Sequence, residues 1–183
     1  IRILHHHHLT CYDVETLSTH GGSLRVYIKH EQDKTKIIEE RVQDCLDREA
    51  AHGLHQLKGY QGFQAVAQRL KYTINRNLME MKQKGKRIVG YGPPAKGNTQ
   101  LNYCGIKSDL LPYVVDKSPH KQGKLLPGSH IPVVKEERIQ SDQPDYVWIL
   151  PWNIKTEIME QLSYIRQWKG SFLIAIPEVE MLV

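Results

Sequence analysis

KRIVGYGPPAKGNT, residues 86–99, runs an apolar strand straight into Gly90-x-Gly92 and then opens a helix with Pro93, Pro94 and Ala95. Glycines permit a tight turn and close backbone approach, and the leading N–H groups of the helix point, with the positive end of its dipole, at any anion placed there. Proline suits the first helical positions because it surrenders a donor the helix would leave unpaired. Ala95 stands third in a G-x-G-x-x-A pattern, where a small residue lets helix and strand pack closely. Downstream, LLPYVVDK reads as a second apolar strand ending on Asp116, near the roughly 20-residue offset expected of an acid that meets a ribose hydroxyl. Together these make one βαβ unit with a phosphate site at its turn. Lys96 adds charge to such a site, and Asn98 or Thr99 a hydrogen bond.

The segments on either side extend the pattern. LTCYDVETLST and LRVYIKH alternate as strands around the turn residues Thr19 to Ser23, which predicts a β-hairpin over residues 1–35. Apolar residues at helical intervals predict a helix from Lys36 to Ala51 and a second from about Gln61 to Lys84, whose inward stripe is Phe63, Val66, Leu70, Ile74, Leu78 and Met81. Residues 36–85 are thus a helical segment and residues 86–183 a nucleotide-binding part. In the latter, IPVV, PDYVWILP and a last strand GSFLIAIP accompany a helix from Trp152 to Arg166 with Ile154, Ile158, Leu162 and Ile165 inward. Strands alternating with helices imply a mainly parallel sheet covered on both faces, an α/β fold of Rossmann-like type.

Composition limits the function classes. The chain has 183 residues, 40% of them hydrophobic, enough for a buried core without staples. No apolar run nears the roughly 18 residues of a membrane span and none resembles a signal peptide, so a cytoplasmic protein is expected. Cys11, Cys45 and Cys104 are odd in number and lack C-x-x-C spacing, which points to reduced thiols and no zinc site. A net charge of +5 spread along the chain suits a nucleotide-sized anion, not a nucleic acid. Four successive rings at His5 to His8 cannot converge on one ion from a helix, so that run is assigned no function. The absence of an initiator Met before Ile1 suggests a fragment or missing upstream residues.

Three further groups are chemical candidates. His20 is flanked by Gly21 and Gly22, which let a ligand come close, and an imidazole can take a proton near neutral pH. Ser23 and Arg25 share one strand face, where Arg25 can fork onto a carboxylate or phosphate. Lys117, His120, Lys121 and Lys124 make a basic loop beside the same sheet edge as the glycine turn, and Trp148 and Trp152 bracket a strand end where rings can stack on a base or sugar or simply fill the core.

HGGSLRVY (20–27), GYGPPAKGNTQLNYCGI (90–106), YVVDKSPHKQGKLLPGSHIPV (113–133) and PDYVWILPWN (144–153) together resemble the C-terminal domain of the C-methyltransferase family, which includes enzymes that methylate carbon on nucleotide-linked deoxysugars. The resemblance runs from about Leu9 to Pro177. It implies a longer protein with a cysteine-rich zinc-binding segment and a domain binding S-adenosylmethionine, against which this domain packs while it binds the substrate nucleotide. It further implies that Gly90, Gly92, Lys96, Asn98 and Thr99 lie at the substrate phosphates, and that His20 is the base that deprotonates the carbon next to a keto group. Two other readings are compatible with the glycine turn and Asp116: an NAD-dependent oxidoreductase domain and a non-catalytic nucleotide-binding module.

Overall fold

The computed structural model describes all residues 1–183, which divide into two compact units, Ile1–Gln64 and Ala65–Val183. No helix is long and apolar enough to cross a membrane.

The first unit holds a short helix α1 (Arg2–His6), the antiparallel strands β1 (Leu9–Leu17) and β2 (Ser23–His30), and helix α2 (Glu40–Ala51). Side chains alternate along a strand, so Cys11 and Val14 would face opposite ways without help. A bulge between Cys11 and Asp13 inserts one residue and restores both to the same face, where they pack with Val42 of α2. The predicted hairpin is therefore present, with Thr19–Gly21 forming a 3₁₀ turn at its tip.

Helix α3 (Phe63–Gln83) leads into the second unit, whose sheet contains β3 (Ile88–Tyr91), β4 (Val114–Val115), β5 (Val133–Val134), β6 (Tyr146–Ile149), β7 (Ser171–Ile174) and β8 (Glu180–Leu182). Between them run α4 (Ala95–Cys104), α5 (Glu137–Asp142) and α6 (Lys155–Gln161). The order is β5-β4-β3-β6-β7-β8, parallel throughout except for the antiparallel β8. From β3 the chain moves outward one way through β4 and β5, and from β6 the other way through β7 and β8. The two halves part between β3 and β6, which is the switch point at whose carboxyl edge such sheets take ligands.

Alternate strand residues supply two cores. Ile88, Val114, Trp148 and Leu173 pack under Ile74, Leu78 and Met81 of α3 and Leu101 of α4. Val89, Val115, Val147 and Phe172 pack under Ile139 of α5, Ile158 of α6, and Leu162 and Ile165 beyond it. The sheet is thus covered on both faces, as the strand–helix alternation implied.

Three local expectations need correction. Phe63 and Val66 are 74% and 58% exposed, because the short sheet is covered only by the later turns of a 21-residue helix. The helix expected from Trp152 to Arg166 is broken into a 3₁₀ turn, α6 and a second 3₁₀ stretch, and Ile154 faces outward. GSFLIAIP is not the last strand, since β8 returns beside it with three residues too few to show a period. Of the two roles left open for Trp148, the structure bears out core packing: it is fully buried in β6.

The amino edge of the sheet is closed by ion pairs. Arg138 donates to Asp142 at 2.8 Å, and Tyr113 Oη donates to the same carboxylate at 3.0 Å. The Arg138 bond holds the Asp142 carboxyl below its ordinary 3.8. A depressed carboxyl stabilises the fold above the unfolded value and loses that contribution as pH falls through the folded one. Melting temperature should therefore decline below about pH 4, and Asp142→Asn should flatten that part of the profile in thermal scans.

Candidate functional site

The loop after β3 is built to bring α4 against the end of β6. Gly92 has φ +63°, and a Cβ there would lie 3.1 Å from Pro151 Cγ, so both backbone conformation and space favour glycine. One turn on, a Cβ on Gly97 would stand 2.9 Å from Leu150 Cβ and 3.0 Å from Pro94 Cδ. Gly97 is thus the close-packing position that sequence spacing assigned to Ala95, which is exposed. The difference arises because the helix starts at Ala95, with Pro94 as its extended N-cap, two residues later than a helix opened by Pro93 would. Pro94 offers no side-chain cap, and so the leading amides of α4 point out of the helix.

Each residue singled out from the sequence has a definite place. Gly90 lies inside β3, its N–H donated to Tyr113 O at 3.0 Å, and Gly92 N–H goes to Val115 O at 2.7 Å. Both amides serve the sheet, and the outward-facing donors begin at α4. Lys96 Nζ donates to Asn153 Oδ1 at 2.9 Å and sits 5.0 Å from the Trp152 ring centroid, tying the two switch-point loops together. Thr99 Oγ1 donates back to Ala95 O at 3.0 Å. Asn98 Oδ1 is buried without a hydrogen-bond partner.

Asp116 ends β4 and is 9% exposed. Ser118 N–H donates to its Oδ1 at 2.7 Å and Lys121 Nζ to its Oδ2 at 2.8 Å, while Lys121 Nζ also approaches Pro93 O at 3.5 Å. The acid therefore anchors the basic loop and holds Lys121 at the mouth of the glycine turn. A cavity of about 430 Å3 opens there, lined by Pro93, Pro94, Asn98, Lys121, Lys124 and Leu126. A second, of about 380 Å3, lies at the amino ends of the strands beside Arg87 and Arg138, the edge opposite the switch point.

On the other face at the carboxyl edge is a cluster the sequence did not announce. Tyr91 Oη donates to Glu136 Oε2 at 2.9 Å, Gln161 donates to both, and Lys117 Nζ lies 3.8 Å from the same carboxylate. Burial, with Glu136 beside it, pushes the Tyr91 hydroxyl well above its ordinary range and keeps it a donor. Its members come from four separate elements, so no local spacing reveals them. Burial also pushes the Cys104 thiol up to about 11, which removes it as a nucleophile.

His20, Ser23 and Arg25 are in the first unit. His20 occupies the hairpin tip with φ +58°, a conformation few non-glycine residues adopt. Ser23 Oγ donates to Thr19 O at 3.0 Å and braces that tip. Arg25 is engaged by Glu15 at 2.9 Å across the ribbon, so a phosphate would have to displace that carboxylate. No group of three or more His, Cys, Asp or Glu side chains is arranged to hold a metal ion, the His5 to His8 run included.

A parallel sheet whose strand order reverses between β3 and β6, with a helix start and a basic loop at its carboxyl edge, defines the class of α/β domains that take ligands at that edge. Within that class, residues 18–177 match the C-methyltransferase C-terminal domain family, and the chain belongs to it. It is 32% identical over 177 residues to C-methyltransferase NovU of Streptomyces niveus, an alignment covering 94% of this chain and 41% of that relative. The chain thus spans less than half the length of the curated relative it matches.

Proposed function

We propose that this chain is the substrate-binding C-terminal part of an S-adenosylmethionine-dependent C-methyltransferase acting on a carbon next to a keto group of a nucleotide-linked sugar. The observation that carries the reading is the cavity at the carboxyl edge, between the start of α4 and the loop that follows β4. It is lined by the start of α4, by the Lys121 and Lys124 side chains and by Asn98, whose amide oxygen has no hydrogen-bond partner, with Lys96 one residue into the helix. Amides and lysines suit a diphosphate, and a buried acceptor calls for a donor such as a ribose hydroxyl or an imide N–H. Gly92 and Gly97 allow the approach, Thr99 and Gly90 support it through helix and strand, and Asp116 positions Lys121.

The Lys121 and Lys124 side chains at this cavity do not suit a sulfonium cation. The methyl donor is therefore assigned to the rest of a longer protein, against which this chain packs, and any structural zinc to a segment outside these residues. His20 is the base that takes the proton from the carbon. Against the dinucleotide alternative stands Asp116, whose two oxygens are already engaged by Ser118 and Lys121 where a ribose diol would need them.

Calorimetric titration of this chain with a thymidine-diphosphate sugar, NADH and S-adenosylmethionine tests the reading. Only the first should bind, and Lys121→Gln should weaken it by about tenfold, the scale of one charge-assisted hydrogen bond. Tighter binding of NADH would replace this reading with an oxidoreductase domain.

A further inference from the structure

The cavity at the amino ends of the strands carries more positive charge than the fold uses. It lies among the last turn of α3, the start of β3 and helix α5, and Lys82, Lys86, Arg87 and Arg138 all line it. Two of these cations are matched, Arg138 by Asp142 at 2.8 Å and Lys86 by Asp145 at 2.8 Å. The other two are not. Arg87 donates one guanidinium N–H to the Gln143 carbonyl at 3.0 Å and forms no ion pair, while Lys82 forms neither an ion pair nor a side-chain hydrogen bond.

The turn that ends α3 brings these cations to one place. Gly85 has φ +71°, with its N–H donated to Lys82 O at 2.9 Å and Lys86 N–H to Met81 O at 2.9 Å, a left-handed helix cap that sends the chain back into β3. Most of the remaining lining is apolar. Ile88 and Val134 contribute aliphatic side chains, and Pro112, Pro132 and Pro144, each just ahead of a strand, contribute rings and no N–H. Charges of one sign on a concave wall of low polarity focus their field on whatever enters. An apolar cavity with a few converging polar groups is the usual form of a small-molecule site.

Two unmatched cations beside an apolar lining select the ligand. A carboxylate has two oxygens, and a forked guanidinium with one ammonium satisfies both. A phosphate would bring a further oxygen and a second charge, and the proline rings have no donor to offer it. Flat aliphatic C–H surfaces suit the negative face of an aromatic ring. We propose that this cavity is a second binding site, for a small aromatic carboxylate whose ring lies on Pro112, Pro132 and Val134 and whose oxygens take Lys82 and Arg87. It stands at the opposite edge of the sheet from the nucleotide cavity and does not rest on the reading of that cavity. Its ligand touches no reacting atom. It fastens the last turn of α3 to the start of β3 across the Gly85 turn, and so stabilises the unit in proportion to its occupancy.

Saturation-transfer NMR on this chain tests the proposal, with naphthoate as the probe and naphthol as the same ring without the charge. Naphthoate should bind with a dissociation constant of about 1 mM or below, the scale set by its few atoms, and naphthol at least about tenfold more weakly. Lys82→Gln, which removes no bond of the fold, should weaken naphthoate about tenfold, and Lys82→Glu should weaken it further, because a like charge then faces the carboxylate. Saturating thymidine diphosphate should leave naphthoate binding unchanged. Equal affinity for the two probes, an affinity unaltered by both Lys82 variants, or displacement of naphthoate by thymidine diphosphate overturns the proposal. Failure of thymidine diphosphate to bind at all would count against the nucleotide reading alone.

Discussion

Replacing His20 with alanine in the full-length protein should lower kcat for methyl transfer by about 10²- to 10⁴-fold, the usual worth of a positioned general base, and leave the dissociation constant for the nucleotide sugar unchanged. In the proposed reaction the ketone withdraws electrons from the adjacent C–H bond, His20 takes the proton, and the electron pair left behind becomes that of an enolate. S-adenosylmethionine, when bound, supplies an electrophilic methyl group to that carbon. The split between turnover and binding follows from location, since His20 sits on the hairpin tip while the nucleotide is assigned to the edge of the six-stranded sheet. The strained backbone sharpens the test. A non-glycine residue at φ +58° costs about 1 kcal/mol that glycine does not, so His20→Gly should gain about that much stability while losing the same turnover. Retention of full turnover by either variant would remove His20 as the base.

Gly97→Val should be the most damaging change at the nucleotide edge. Its branched Cβ would press on Leu150, which is 1% exposed, and on the ring of Pro94, neither of which has room to retreat. Overpacking of this kind costs about 3 kcal/mol, which for a unit of this size lowers the melting temperature by roughly 10–20 °C. It also levers α4 away from β6, withdrawing its leading amides, so nucleotide affinity should fall at least tenfold in the fraction that stays folded. Ala95→Ser, at the position that sequence spacing alone would have protected, should change stability by no more than about 0.5 kcal/mol. Differential scanning calorimetry of the two variants separates the readings.

The contrast between Ala95 and Gly97 shows what the chain declares openly. The βαβ unit was legible because an apolar run, two glycines and two prolines are local signals, and each depends on neighbours in sequence. Which small residue meets β6 depends on the phase at which α4 begins, and that is settled by the approach of Pro151 and Leu150 from over 50 residues away. Trp148 follows the same rule: its place at a strand end is compatible with stacking or with core packing, and the pairing of β6 between β3 and β7 decides for the core. The basic loop was readable as basic, yet only folding shows that Asp116 binds Lys121 and turns an isolated acid into a loop anchor. The Tyr91, Glu136, Gln161 and Lys117 cluster had no signal at all, since tertiary packing alone assembles it. The hairpin in turn was legible from alternation, but alternation cannot tell which apolar face is covered.

The proposed nucleotide diphosphate site lies at the carboxyl edge, between the start of α4 and the loop from Lys121 to Leu126. Amide chemical shifts of the isotopically labelled chain, followed by NMR during titration with thymidine diphosphate, test it most directly. The largest shifts should fall on Ala95, Lys96, Gly97 and Asn98, with Lys121 to Leu126 moving in step. Shifts confined to the amino-edge cavity around Arg87 and Arg138, or none at saturating ligand, would contradict it.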